Sequence, residues 1–166
     1  TRTITTSANG AASVFAIDMD GDGDIDVLSA SVNDDTIAWY ESDGASPPSF
    51  TTRTITTSAD SARSVFAIDV DGDGDVDVLS ASQNDDTIAW YESDGGSPPS
   101  FTTRTITTSA DYACSVFAVD VDGDGDIDVL SASRDDDTIA WYDDHEPLSI
   151  SSSCKVLITM AQWFCS

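Results

Sequence analysis

A segment of 51 residues that occurs three times is the strongest constraint on how this chain can fold. Residues 1–50 are almost identical to residues 52–101, and the same pattern returns from residue 103. A repeat of this length predicts a tandem array in which each copy is one structural unit packed against its neighbours. The predicted boundaries are 1–51, 52–102 and 103–146 for the three copies and 147–166 for a unique C-terminal segment.

The apolar residues of each copy fall in short runs, which predicts strands. These runs are rich in Val, Ile, Thr and aromatic residues, and Gly, Asp, Ser and Pro separate them. No window has the spacing of an amphipathic helix. The run Val14–Ile17 is apolar on both faces, so we expect it to be buried on both sides, and the Thr-rich Thr1–Thr6 should be an edge strand. About four antiparallel strands per copy is typical of a β-propeller blade.

The charge of the chain excludes several classes of function. It has 31 acidic and 6 basic side chains in 166 residues, and its formal net charge is −25. Nucleic acids and anionic membrane surfaces attract clustered Lys and Arg, so we expect neither as a partner. No stretch approaches the ~18 apolar residues of a transmembrane helix. Because 40% of the residues are hydrophobic, we expect a packed core that needs cations rather than a disordered chain.

The three cysteines, Cys114, Cys154 and Cys165, match no metal-binding spacing. In a secreted protein they would give one disulfide and one free thiol, and Cys154 with Cys165 is one candidate pair for the disulfide. The alternative is that all three are buried free thiols. Cys114 takes the place of Ala12 and Arg63 in the other copies, so we expect that position to lie in an exposed loop.

Two features of the sequence bear on the compartment. A single Lys among many Ser and Thr residues is typical of an extracellular surface. The sequence has no initial Met and no visible signal peptide, so we expect a mature or truncated form.

The most specific motif is the aspartate-rich loop at residues 18–26, which recurs at 69–77 and 120–128. Aspartates stand at its first, third, fifth and ninth positions, and glycine stands at the sixth. Carboxylates at this spacing can surround a hard cation, and Ca²⁺ binds roughly 6–8 oxygens. The seventh residue, Asp24 in the first loop, would donate its main-chain carbonyl and turn its carboxylate to solvent. Two carboxylates ~5 Å apart repel by ~3 kcal/mol at an effective dielectric of 20, so the loop should need a cation.

Other functions of this loop fit the sequence less well. An EF-hand needs Glu at the twelfth position and flanking helices, whereas Ser29 stands there within an apolar run. The carboxylates would repel a bound phosphate, and Mg²⁺ tends to keep several waters. A solvated acidic turn is the remaining alternative. We therefore expect about three Ca²⁺ ions, one in each copy.

At this loop the sequence resembles the FG-GAP and VCBS repeats, which are the calcium-loop blades of integrin alpha-subunit propellers and of many secreted proteins. The resemblance covers residues 1 to about 145 and rests on the pattern D-x-D-x-D-G-x-x-D between two strands. The Phe-Gly part of the family appears here as Val14–Ile17, and the Gly-Ala-Pro part appears as Ser29–Ser31. The resemblance implies metal-binding roles for Asp18, Asp20, Asp22, Asp24, Asp26, Asp69, Asp71, Asp73, Asp75, Asp77, Asp120, Asp122, Asp124, Asp126 and Asp128.

The resemblance also implies an all-β fold of β-propeller-type blades and a role in adhesion, recognition or scaffolding, seldom catalysis. No nucleophile–base pair stands out, His145 has no repeated partner, and the acids of Asn33–Asp35 fit a polar turn. The Trp-Tyr pairs that begin at Trp39, Trp90 and Trp141 could stack on sugars, but we expect them to pack in the core.

Three blades are too few to close a propeller, which needs about four to eight. Thr1–Thr6 precedes any blade of its own, and the third copy ends at Tyr142 without a Thr-rich segment. Three solutions stay open. In the first, Lys155–Met160 caps the third blade. In the second, the opening strand of one molecule completes the last blade of the next, which gives a ring or a filament. In the third, the chain is part of a longer propeller.

The sequence as a whole therefore predicts an extracellular, calcium-binding repeat module with a structural role that includes self-assembly. The alternative is an adhesive or lectin-like module that binds a glycan or protein, and a hydrolase scaffold ranks last.

Overall fold

The computed structural model describes residues 1–143, and strands and loops form all of this part of the chain. No helix in this range is long and apolar enough to cross a membrane. The predicted closing strand Lys155–Met160 and the candidate disulfide between Cys154 and Cys165 lie outside the described residues. The strands are β1 (Ala11–Ile17), β2 (Asp26–Ser31), β3 (Thr36–Ser42), β4 (Phe50–Thr56), β5 (Ala62–Ile68), β6 (Asp77–Ser82), β7 (Thr87–Ser93), β8 (Phe101–Thr107), β9 (Ala113–Val119), β10 (Asp128–Ser133) and β11 (Thr138–Tyr142).

The strands form three antiparallel sheets in which each strand pairs with the next along the chain. The orders are β1-β2-β3-β4, β5-β6-β7-β8 and β9-β10-β11. The predicted all-β fold of blade-like sheets is thus confirmed. Each complete sheet takes its fourth strand from the next sequence copy, because β4 begins at Phe50 and continues through the Thr-rich segment of that copy. Within residues 1–143, the third sheet therefore has three strands.

Each blade has two apolar faces, because side chains alternate along a strand. In the first blade Phe15, Leu28 and Trp39 lie side by side on one face, which we call the leucine face. The opposite, valine face carries Val14 on β1 and Ala38 on β3. The same faces recur in the second and third blades.

The blades stack by packing the leucine face of one onto the valine face of the next. Between the first two blades, Leu28 and Trp39 are buried in one cluster with Val65 and Tyr91. A second cluster joins the next pair of blades in the same way. The rings of Phe15, Phe66 and Phe117 follow one another along the stack, with centroids 4.7 Å and 4.6 Å apart.

The ends of the stack differ from its middle. Val14 was expected to be buried, but it is 72% exposed, whereas its counterpart Val65 in the second blade is 4% exposed. The predicted core packing is confirmed for Trp39 and Trp90. It is wrong for Trp141, which is 46% exposed because no described residues cover the leucine face of the third blade.

Two further expectations from the sequence are wrong. Residues 1–6 are not in a strand. The matching strands of the first two blades, β3 and β7, pair with β4 and β8 instead. Ala12, Arg63 and Cys114 lie within strands rather than in a loop. Each stands at a register shift between two strands, a β-bulge that leaves one residue unpaired and able to vary. The thiol of Cys114 is exposed.

Candidate metal centre

Each aspartate-rich loop joins the first and second strands of a blade. In the first loop the backbone N–H groups of Gly21 and Gly23 donate to the two carboxylate oxygens of Asp18, each over 2.9 Å. Both glycines have positive φ angles, 75° and 95°, which side chains with a Cβ rarely adopt. The first aspartate therefore closes a tight turn and holds the other carboxylates on one side of it.

The structure brings three carboxylates together in every loop. In each group the oxygens lie within 4.8 Å of one another, a separation that one cation can bridge. The groups are Asp18, Asp20 and Asp22 in the first blade, Asp69, Asp71 and Asp77 in the second, and Asp120, Asp122 and Asp128 in the third. The predicted ligands that lie outside these groups are Asp24, Asp26, Asp73, Asp75, Asp124 and Asp126.

The aspartate at the ninth position of the loop also has a structural role that sequence reasoning missed. The buried carboxylate of Asp26 accepts hydrogen bonds from the backbone N–H of Met19 over 3.1 Å and of Ser42 over 2.7 Å. Asp77 makes the same pair of bonds with Val70 and Ser93. This residue therefore ties the start of the loop to the end of the third strand. Both donors are backbone N–H groups, so no side chain in the sequence signals this role.

In the first two loops, the aspartate at the seventh position does not turn to solvent as expected. The carboxylate of Asp24 lies over Gly44 in the connection between β3 and β4, and Asp75 lies over Gly95 in the same way. A Cβ on Gly44 would come within 2.0 Å of the Asp24 carboxylate. The two glycines therefore make room for these side chains.

The electrostatics of the loops favour a cation. Burial raises the pKa of Asp77 from 3.8 to about 6. Burial is also the largest cause that raises the pKa of Asp20, Asp71 and Asp122, and neighbouring carboxylates add to it. Because burial and like charges both disfavour the ionised form, a divalent ion would stabilise these carboxylates.

One oxygen atom in the first loop lacks the partner that a bound cation would supply. The Oδ1 atom of Asp20 is buried and has no hydrogen-bond partner. A buried oxygen of this kind normally has a protein, water or ion partner. All the donors in the three groups are carboxylate oxygens, the atoms that hard cations prefer. The residues present thus fit Ca²⁺.

The other candidate residues lie in a turn or outside the described part of the chain. Asp34 lies in the turn between β2 and β3, where its carbonyl accepts a hydrogen bond from the Thr36 hydroxyl over 2.8 Å. His145 lies outside the described residues. A cavity of about 90 Å³ between the first aspartate-rich loop and the second blade is lined by Asp18, Asp20 and Gly95, among others. It is smaller than the roughly 300–1,000 Å³ of typical small-molecule sites.

Comparison with known proteins identifies the repeat. A family model described as FG-GAP-like repeat matches residues 18–80 and residues 69–131. The two matches together include all three aspartate-rich loops and end within β10. No curated protein gives a significant match to the chain.

Proposed function

This chain belongs to the FG-GAP-like repeat family, and we propose that it is an extracellular, calcium-binding structural module whose blades assemble with copies of the same chain. The observation that carries the proposal is the group of three carboxylates in every loop, with oxygens within 4.8 Å of one another. These carboxylates accept hydrogen bonds from backbone N–H groups, whereas the ion pairs of Arg53, Arg104 and Arg134 are with Glu41, Glu92 and Asp135.

Calcium would act here by neutralising charge and fixing the loop. In the first blade Asp18, Asp20 and Asp22 would hold the ion, and Asp26 would connect the loop to the end of β3 through Ser42. Binding would therefore stabilise the hairpin of β1 and β2 and its attachment to β3. An ion that binds only the folded chain raises its stability by mass action.

The charge of the chain supports an extracellular location. Extracellular calcium modules bind the ion with dissociation constants of ~10⁻⁴–10⁻³ M. Short loops of partly exposed carboxylates fit such weak sites. The net charge of −25 also favours an environment in which divalent cations are abundant.

An adhesive or lectin-like module is the second candidate function. The observation that favours it is Trp141, whose ring is 46% exposed and available to stack on a sugar. Binding to a glycan array that is lost in Trp141→Ala but retained in the exposed control Val14→Ala would support it. We rank a hydrolase below both, because the described carboxylate groups lie in polar, aspartate-rich loops rather than in an apolar pocket.

A calcium titration tests the main proposal. We expect isothermal calorimetry to give about three sites per chain and the melting temperature to rise with calcium and fall again with a chelator. Asp22→Ala should remove one site, because it takes one carboxylate from the first group. Asp111→Ala removes one negative charge outside the aspartate-rich loops and should leave the number of sites unchanged.

A chain that binds no calcium, or whose melting temperature does not respond to the ion or to the chelator, would contradict the calcium role. A loss of all sites in Asp22→Ala would argue against three independent loops.

A further inference from the structure

We propose that the two ends of the blade stack bind each other, so that the third blade of one molecule receives residues 1–5 and the first blade of another copy. This inference rests on the proposed function, since the blades must be folded for their ends to be formed. It specifies the partner, the surfaces and the strand register.

We call this contact between the two ends of different copies the joint. The internal contacts between blades provide the template for it. Twice in the chain, the leucine face of one blade packs on the valine face of the next. The sequences of the blades are nearly the same, so a leucine face at the end of the stack is suited to a further valine face. Shape and hydrophobic complementarity are thus already present in the chain.

Each end of the stack leaves part of these surfaces uncovered in the described part of the chain. On the leucine face of the third blade, Ile139 is 79% exposed, whereas its counterparts Ile37 and Ile88 are 0% exposed. On the valine face of the first blade, Val14 is exposed, although Tyr40 of the same face is buried. The uncovered part of this second face therefore lies on β1, the first strand of the sheet.

The third blade also has an open strand edge next to its aromatic strand. In the first two blades, β4 and β8 occupy this edge, and both contain the sequence TRTIT. Within residues 1–143, no strand pairs with the matching edge of β11. Residues 1–5 have the same sequence TRTIT and are not in a strand. They are therefore suited to complete the third blade of another copy by strand addition.

The register of the added strand follows from the complete blades. Trp39 pairs with Arg53, and Tyr40 pairs with Thr52. The same pairs recur between β7 and β8. Residues 1 and 2 of one copy should therefore stand opposite residues 142 and 141, respectively, of the next.

The arginine in this register gives the joint a charge contact. In the first blade Arg53 forms an ion pair with Glu41 over 2.6 Å, and its guanidinium lies 5.4 Å from the ring centre of Trp39. The second blade repeats both contacts. Arg2 would reach Trp141 in the same way, and Asp143 takes the sequence place of Glu41. In a chain with only 6 basic residues, this arginine is a selective contact.

The joint is heterologous, because it brings together two different surfaces. Each molecule then offers one surface of each kind, and the contact repeats until a ring closes or a filament grows. Two other occupants are conceivable, namely the C-terminal segment of the same chain and further blades of a longer chain. The experiment below distinguishes the second copy from both.

The test uses two variants that each block one end of the stack. Val14→Asp and Ile139→Asp change exposed residues, so each should fold and bind calcium like the natural chain. In light scattering with calcium present, we expect the natural chain to form assemblies and each variant alone to lose them. Mixed in equal amounts, the variants should form a one-to-one dimer, because Val14→Asp keeps the end that Ile139→Asp lacks.

The charge contact has its own test. Arg2→Glu should weaken association by at least about tenfold, since it replaces a stacked, paired arginine with an acid. Arg134→Glu makes the same change of charge in the turn before β11, where the Arg134 side chain pairs with Asp135 and lies over the ring of Tyr112, and should leave association unchanged.

The outcomes separate this inference from the proposed calcium role. A natural chain that stays monomeric overturns the joint, whether or not it binds calcium. Assembly that survives in both Val14→Asp and Ile139→Asp also overturns it and points to another surface, such as the C-terminal segment. A chain that assembles but binds no calcium overturns the proposed metal role and leaves the joint supported.

Discussion

The buried aspartate at the ninth loop position combines two tasks in one side chain. In the second blade Asp77 is 1% exposed, and its two oxygens accept the N–H groups of Val70 and Ser93. The same carboxylate lies within 4.8 Å of Asp69 and Asp71. Those N–H bonds favour its charged form, but burial outweighs them and raises its pKa to about 6. A bound cation would reverse this balance.

This raised pKa predicts how stability depends on pH without metal. Between the unfolded pKa of 3.8 and the folded value of about 6, the folded chain binds more protons at Asp77 than the unfolded chain does. Its stability should therefore rise as the pH falls from 7 to 5, and lower repulsion among the other acids acts in the same direction. We expect a higher melting temperature at pH 5 than at pH 7 in the presence of a chelator.

With calcium the direction should reverse, because protons compete with the ion for the same carboxylates. The increase in melting temperature on adding calcium should be largest at pH 7 and smaller at pH 5. Asp77→Asn removes this group and should reduce the pH dependence of the chelated protein. A chelated protein that melts at a lower temperature at pH 5 would contradict the prediction.

At the scale of the element, the unit is a four-stranded sheet that crosses the boundary of the sequence repeat. Two connections meet at one end of each complete sheet, namely the aspartate-rich loop and the segment between the third and fourth strands. Asp24 contacts Gly44 across this junction, and Asp43 accepts the N–H of Ser49 over 2.8 Å. Hydrogen bonds from Ser49 and Ala45 lower the pKa of Asp43. The loop and the connection therefore position each other.

A matched pair of glycine substitutions tests this junction. Gly44 has a φ of 62° and faces the Asp24 carboxylate, so Gly44→Ala should destabilise the fold by about 1 kcal/mol or more. Gly96→Ala is the control, because the first blade has Ala45 at the same position. Urea denaturation with calcium would measure both. Equal effects of the two substitutions would show that the contact with Asp24 has no special role.

At the scale of the whole molecule, burial depends on the position of a blade in the stack. The middle blade has a neighbour on each side, so Val65 and Ile88 are 4% and 0% exposed. The outer blades have the same residues, but each has one described neighbour. A stack of near-identical units therefore has ends that differ from its interior, as in other repeat proteins.

The same valine in two blades provides a test of this end effect. Val65→Ala removes two methyl groups from a buried site and should lower the free energy of unfolding by about 2 kcal/mol. Val14→Ala makes the identical change at a site that is 72% exposed and should have little effect on the monomer. Chemical denaturation at low protein concentration, where copies do not associate, would compare them. Similar losses from both variants would contradict the stack described here.

The sequence by itself determined the repeat, the all-β class and the aspartate loops. Strand periodicity and ligand spacing are short-range patterns, which are visible along the chain. The sequence also indicated that the Thr-rich segment is offset from the blade it completes. These properties follow from residues within one copy or at its boundary.

The tertiary structure determined the burial and the strand pairing that differ between the copies. Val14 and Val65 both lie in the segment SVFAI, yet one is exposed and the other buried. Residues 1–5 and 52–56 have the same sequence, yet only the second segment is in a strand. In each case the difference is the presence of a neighbouring strand or sheet. Since burial and strand pairing are long-range, identical local sequences can have different structures.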